Sequence, residues 1–341
     1  MKIVRRHLWP VREVTRRGAL GLVGASSLAA CARVGATRPV RLIIGTAAGG
    51  GNDGFSRLFA QHLQRLTGQA VQAQNEGRAG GRLAASQLLQ ANADGSVMAF
   101  LPTPLIYENL LSDANQTLDL TQFRWLGGIG ADRRVLVVNR QSGVTSFGQL
   151  ITRPRSLVLA ASSTSSSSYV EPRIVSHLTG ARLKPVPGYS GGARNLAVLS
   201  GEADGVVGDL ASLGPVLQTP GSRVVLRLNE ITEAASAAAP GLASLAKGPD
   251  APPLLALIAA TAGLGRMFAL PPGTPAAILR QWRSHLDRVV ADSEFRAAAT
   301  ARGFALERVT GGEVEVTLRR LFAPSSPVGP ALRRAMAATG A

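Results

Sequence analysis

Strand-length apolar runs alternate with helix-length stripes along this chain, and they do so twice. Val40–Ile44 is a run of strand length, and residues 55–66 place Phe55, Leu58, Phe59, Leu63 and Leu66 at spacings of three and four. That spacing lines one face of a helix. Strands at 71–74 and 97–101 and helices at 83–91 and 105–111 follow, with further strands at 125–129 and 135–139. The pattern restarts with strands at 157–161, 182–186, 205–207 and 224–228 and helices at 170–179 and 193–200. Such an order with short connections predicts α/β halves built on parallel, doubly wound sheets. A strand at 267–270 and helices at 275–291, 293–302 and 312–322 complete the reading. The Ala/Gly/Pro-rich stretch 230–265 is left unplaced. The proline-bearing tail 324–341 is expected to wrap the fold instead of folding independently.

The first 30 residues belong to neither half. They carry six basic residues and one acid, so without them the net charge falls from +16 to +11. Thr15-Arg16-Arg17-Gly18-Ala19-Leu20 resembles a twin-arginine export motif, and the apolar run that follows is too short for the roughly 20 residues that span a bilayer. The run ends in Leu28-Ala29-Ala30-Cys31, which looks like a lipobox and would leave Cys31 acylated at a membrane surface. Ala30-Cys31-Ala32 also fits cleavage of an ordinary leader, but the sole cysteine at the lipobox position favours acylation. Cys31 is the single cysteine, which excludes internal disulfides and multi-cysteine metal sites.

The remaining positive charge is dispersed. Aromatic residues are 4% of the chain and do not interleave with the arginines, so a nucleic-acid surface is not expected. Hydrophobic content of 45% against 17% charged excludes wholesale disorder.

Three loops between a strand and a helix carry anion-friendly chemistry. The first, Gly45-Thr46-Ala47-Ala48-Gly49-Gly50-Gly51-Asn52-Asp53, lacks the lysine of a P-loop. Its glycines let backbone N–H groups reach an anion at a helix N-terminus, though the same residues also make a plain turn capped by Asn52 or Asp53. The second is the run Ser162, Ser163, Thr164, Ser165, Ser166, Ser167, Ser168, and the third is Gly188-Tyr189-Ser190-Gly191-Gly192-Ala193-Arg194-Asn195. Arg194 is placed to hold a second carboxylate, or else is a solvated first-turn arginine. Ligands of open α/β sheets bind outside the carboxyl ends of strands, so two halves bearing such loops would close on a small anion.

In order along the chain these segments match a family's motifs. The first loop stands for P-F-x-x-G-G-x-x-D, Gln74-Asn75-Glu76-Gly77-Arg78-Ala79-Gly80-Gly81 for E-N-x-x-G-A-G-G, and Ala93-Asp94-Gly95-Ser96-Val97-Met98 for P-D-G-Y-T-L. Leu136-Val137-Val138-Asn139, the serine loop, Ser200-Gly201-Glu202-Ala203-Asp204 and Phe268-Ala269-Leu270-Pro271-Pro272-Gly273-Thr274-Pro275 continue the match. The chain thus resembles the solute receptors of tripartite tricarboxylate transporters, the Bug group, over nearly all of its length after the leader.

The resemblance implies a periplasmic-binding-protein fold, type II-like, of two doubly wound α/β domains joined by a two-strand hinge. The expected domains are 37–137 plus 268–341, and 138–267. It implies no enzyme activity, no cofactor and no metal. Its ligand would be a small carboxylate held by Thr46, Ala47, Gly49, Gly50, Asn52, Asp53 and Thr103 of one domain. The other domain would add Ser162, Ser163, Thr164, Ser165, Ser166, Ser190, Gly191, Gly192, Arg194 and Asp209. Implied partners are the transporter's membrane subunits and, with Cys31 acylated, the periplasmic membrane surface. The chain departs from the pattern at Thr46 and Ala47, in a serine loop without glycines, at Arg194 where the family has a small residue, and in 230–265. A diverged binding protein with a sensory role, or a secreted serine hydrolase, are the other readings. Against the hydrolase, no G-x-S-x-G occurs, and His62, His177 and His285 all fall in expected helices.

Overall fold

The computed structural model describes residues 39–112, 118–189, 191–231 and 233–337. The leader, Cys31 and Ser190 therefore lie outside the described residues. The first sheet contains β1 (Val40–Ile44), β2 (Val71–Asn75), β3 (Val97–Leu101), β4 (Arg124–Ile129), β10 (Arg266–Leu270) and β11 (Arg308–Thr310), in the order β11-β4-β10-β3-β1-β2. The second contains β5 (Arg134–Val138), β6 (Leu157–Ala160), β7 (Leu183–Val186), β8 (Gly205–Asp209) and β9 (Arg223–Arg227), in the order β7-β6-β8-β5-β9.

The helices that matter here are α1 (Gly51–Thr67), α2 (Arg82–Leu89), α3 (Pro104–Leu111), α4 (Ser167–Thr179), α5 (Ala193–Ser200), α6 (Ala251–Leu264), α7 (Ala276–Ala291), α8 (Ser293–Ala301), α9 (Gly311–Phe322) and α10 (Val328–Ala337). The apolar run of β1 is buried almost completely, as a strand covered on both faces should be. The α1 stripe packs Phe55 and Phe59 against Phe268, Phe295 and Leu279 on one face of the first sheet. On the other face a continuous apolar core runs from Ala99 and Trp125 of the first sheet to Leu136, Leu159 and Val207 of the second.

The sheet directions and the domain boundaries differ from expectation. The sheets are mixed, since β10 runs antiparallel to β3 and β4, and β5 antiparallel to β8 and β9. The chain crosses to the second sheet after Ile129, so β5 lies there and not with residues 37–137; Arg266 and Met267, expected in the second domain, are in β10 of the first sheet. The unplaced stretch contains α6, which is apolar around much of its girth and buries Leu254, Leu257, Ile258, Thr261 and Ala262. Its exposed face is made of Pro252, Ala256, Ala259 and Gly263, none of them polar, so it carries no amphipathic period. The tail forms α10, which packs on α3, α4 and α6.

The two crossings touch. Asp132 N–H donates to Ala262 O at 2.9 Å, and a Cβ at Gly265 would overlap the Gly130 carbonyl. Gly265 also has a φ of +59°, so both space and backbone require glycine there.

Candidate functional site

The first loop is tied down by a single carboxylate. Gly50 caps α1, and Asp53, in the helix's first turn, accepts from Gly49 N–H at 2.9 Å, Arg57 Nε at 2.9 Å and Asn75 Nδ2 at 2.8 Å. Asn75 Nδ2 also donates to Thr46 O at 3.0 Å, which ties the loop to the end of β2. Burial pushes the Asp53 carboxyl up, but Gly49, Asn75 and Arg57 together hold it below its ordinary value. Asp53 thus shapes the loop, and the cap expected of Asn52 or Asp53 belongs to Gly50. Behind the loop, a Cβ at Gly77 would collide with the Thr46–Ala47 backbone.

The serine loop spends part of its hydroxyl chemistry on itself. Ser166 Oγ donates to Ser163 O at 2.7 Å and accepts from Ser163 N–H at 3.2 Å, and Ser168 Oγ accepts from Ser162 N–H at 3.1 Å. Ser166 therefore braces the turn that enters α4. Ser165 faces outward: a Cβ at Gly80 of the first lobe would stand 3.1 Å from its Oγ. The third loop is laid against the second through Gly188 N–H to Ser162 O (3.1 Å) and Tyr189 N–H to Ala161 O (3.0 Å).

The loops of the two lobes meet face to face. A Cβ at Gly191 would lie 3.5 Å from Ala48 O, and one at Gly50 would lie 3.9 Å from Gly191 Cα. Three helix N-termini, those of α1, α4 and α5, begin at these loops, and their first N–H groups have no intrahelical acceptor. Thr103 stands before α3 at the end of β3. Asp209 is set apart from this group: its Oδ1 accepts from Arg133 N–H at 2.9 Å on the crossing between the sheets. Burial and nearby Asp132 push its carboxyl up.

Below the loops lies a buried polar network that motif reading missed. Arg134 donates to Glu171 through Nε (3.0 Å) and Nη2 (2.7 Å), and Tyr107 OH donates to Glu171 at 3.1 Å while meeting Thr261 Oγ1 at 2.9 Å. Tyr107 comes from the first lobe and Glu171 from the second, so the contact joins them. A sequence signal existed: Glu171 lies three, four and seven residues before Ile174, Val175 and Leu178, on the apolar stripe of its helix. Burial works against ionising Glu171 and pushes its carboxyl up, with Arg134 opposing.

Three polar atoms in this region are shut off from solvent without a hydrogen-bond partner: Thr46 Oγ1, Glu108 Oε2 and Arg194 Nε. Glu108 keeps one oxygen on Arg82 Nη1 at 3.1 Å. Arg194 is half-buried, and burial together with the like charge of Arg134 lowers it to about 10. It therefore stays charged at neutral pH.

Two other features lie elsewhere. His62 meets Asp292 at 3.1 Å and His177 meets Asp250 at 2.8 Å. A cavity of about 380 Å³ lies at the C-terminal end of α3, beside Asn109, Phe322 and Arg333.

The fold is shared with solved periplasmic binding proteins of the TctC type. No family model matches the sequence. A UPF0065 protein of Bordetella bronchiseptica is 24% identical over 279 residues, 80% of this chain and 78% of that protein. Among solved structures, a TctC solute-binding protein from Polaromonas covers 87% of this chain and 99% of its own at 17% identity, with a TM-score of 0.64. An R. palustris protein solved with adipate matches at a TM-score of 0.71 and 19% identity over 87% and 98% of the two chains. MatC of Rhodopseudomonas palustris with bound malate matches at 0.70 and 18% over 86% and 99%. The resemblance to tripartite tricarboxylate receptors read from the motifs is borne out in these likenesses.

Proposed function

We propose that the protein is an extracytoplasmic receptor that closes its two lobes on a small organic carboxylate and delivers it to the membrane subunits of a tripartite tricarboxylate-type transporter. The observation that carries this reading is the apposition of three helix N-termini from two lobes, with an uncompensated arginine among them. Such a site offers N–H groups, helix dipoles and a cation to an anion, and asks for no bond to be made or broken. The adipate and malate held by two proteins of the same fold support the ligand class. The ligand set on this reading is Thr46, Ala47, Gly49, Gly50, Asn52 and Thr103 from one lobe, with Ser162, Ser163, Thr164, Ser165, Ser190, Gly191, Gly192 and Arg194 from the other. Asp53 and Ser166 hold their loops in shape, and Asp209 serves the crossing.

The leader motifs support a periplasmic location, and acylation of Cys31 would hold the receptor at a membrane surface. Among the described residues no helix is long and apolar enough to cross a membrane. Palmitate labelling of wild type against Cys31→Ser tests the anchor.

Thermal-shift screening against di- and tricarboxylates, acidic amino acids and aromatic acids tests the receptor. A ligand at 100 times its Kd should add about 2.7 kcal/mol, a rise of about 5 °C for a chain of this size. No rise with any acid of the panel would refute the reading.

A further inference from the structure

Positive charge that is dispersed along the sequence is gathered by the fold at one end of the second sheet. β6, β7, β8 and β9 start at that end, and β5, antiparallel to β8 and β9, finishes there. The connections at this end carry Arg140, Arg153, Arg155 and Arg182, and Arg223 opens β9 opposite Val138. Arg182 Nη1 donates to Pro154 O at 3.0 Å, which lays it against the turn bearing Arg153 and Arg155. A Cβ at Gly221 would stand 2.8 Å from Arg140 Cβ, so the approach to β9 lies against the end of β5. Four strand intervals separate β7 from β9, so the basic end is about 19 Å wide.

These charges are unmet. Arg140, Arg155, Arg182 and Arg223 are exposed and Arg153 is half-buried. The ion pairs of this lobe are made by Arg133, Arg134 and His177, and none of the five takes part in one among the described residues. The same connections hold two acids. Glu202 accepts from Tyr189 OH at 2.7 Å and Asp204 from Val158 N–H at 2.8 Å. Elsewhere arginines such as Arg57, Arg65, Arg283 and Arg308 stand against carboxylates, the usual mixing of signs on a solvated surface. Among the arginines sits Ile151, 42% exposed in the helical turn Gln149–Thr152. The carbonyl of its neighbour Leu150 accepts from Arg182 N–H at 3.0 Å. Basic groups around an exposed apolar side chain suit the headgroup layer of an anionic membrane, where phosphates meet the guanidinium groups and the apolar group leaves water. Five charges spread over this width are too far apart for one small anion, whereas a continuous anionic surface meets all of them together.

We propose that this basic end is a seat for the second lobe on an anionic membrane surface, with Ile151 entering the headgroup layer. The serine loop and the third loop leave from the opposite ends of β6 and β7, so a seated lobe directs its cleft loops away from the bilayer. The proposal depends neither on acylation of Cys31 nor on the identity of the cleft's ligand.

Vesicle flotation of the full chain carrying Cys31→Ser, so that no acyl group contributes, tests it. Vesicles of phosphatidylcholine with about 30% phosphatidylglycerol are compared with phosphatidylcholine alone. The chain should float with the anionic vesicles and not with the neutral ones, and should be released between about 50 and 300 mM salt. Each basic residue near such a surface is worth about fivefold in partitioning, so Arg155→Gln, Arg182→Gln and Arg223→Gln together should weaken it about 100-fold. The control replaces three exposed arginines of the first lobe, Arg280, Arg319 and Arg320, with Gln. It lowers net charge equally and should weaken partitioning less than about threefold. Both triple variants should melt within about 1 °C of wild type. Ile151→Gln should weaken partitioning a few-fold without altering its salt dependence. Equal loss in the two triple variants overturns the proposal, because net charge alone would then explain binding. Equal binding to neutral vesicles, insensitivity to salt, full binding by the first triple variant or unaltered binding by Ile151→Gln also overturns it. Wild type that stays off anionic vesicles does the same, and leaves an acidic protein surface as the partner of this end.

Discussion

Replacing Glu171 with Gln should loosen the deepest polar contact between the lobes. The carboxylate is almost fully buried and accepts from Arg134 Nε and Nη2 and from Tyr107 OH. A glutamine of the same shape keeps one acceptor oxygen but turns an amide N–H₂ toward a guanidinium. Arg134, itself 7% exposed, is then left as a buried charge facing a donor. Removing one partner of a buried ion pair costs about 3–5 kcal/mol, and the retained oxygen puts this variant near the lower end. For a folded chain of about this size each kcal/mol moves Tm by roughly 2 °C, so a fall of about 6 °C is expected by far-UV circular dichroism. The double variant Glu171→Met with Arg134→Met removes both charges and should melt much closer to wild type, since apolar replacement of a whole buried pair is often nearly neutral. A Glu171→Gln melt within about 1 °C of wild type would refute the argument. So would a double variant as unstable as the two single changes added together.

Two further outcomes follow from the same geometry. Gly77→Ala should drive a Cβ into the Thr46–Ala47 backbone; overpacking of this kind costs about 1–3 kcal/mol, and carboxylate affinity should fall with it. Gly148→Ala, where a Cβ meets open space, is the control and should change neither melting nor affinity. Asp250 accepts from His177 and Arg334, and hydrogen bonding from Arg334 lowers its carboxyl from 3.8 to about 2. Its contribution is therefore complete above about pH 4 and lost as pH falls toward 2. Denaturant titration across that window should show wild type losing more stability than Asp250→Asn; parallel curves would remove the assignment.

Much of the fold was legible in order. Strands and helices from β1 to α5 fall within a few residues of their expected positions, because apolar period and strand–helix turns are local properties. What defeated the reading was also physical. The α6 helix exposes only Pro252, Ala256, Ala259 and Gly263, so its sequence has no polar face to give a period. The mixed sheets arise at β5 and β10, the strands by which the chain crosses from one sheet to the other, and strand direction there is settled by where the chain enters.

The candidate site divides along the same line. Local pattern alone placed three glycine- or serine-rich loops at helix N-termini, since each is a contiguous stretch between a strand and a helix. Tertiary structure decided what each residue does there. It turned Asp53 inward to Gly49 and Asn75, bound Ser166 into its own turn and drew Asp209 to the crossing. It also brought Tyr107, Arg134 and Glu171 together from positions as far as 64 residues apart. Arg194 shows the difference most clearly. The sequence could name it a first-turn arginine, but whether its charge is met depends on which groups from other elements surround it, and that is decided only when the lobes are packed.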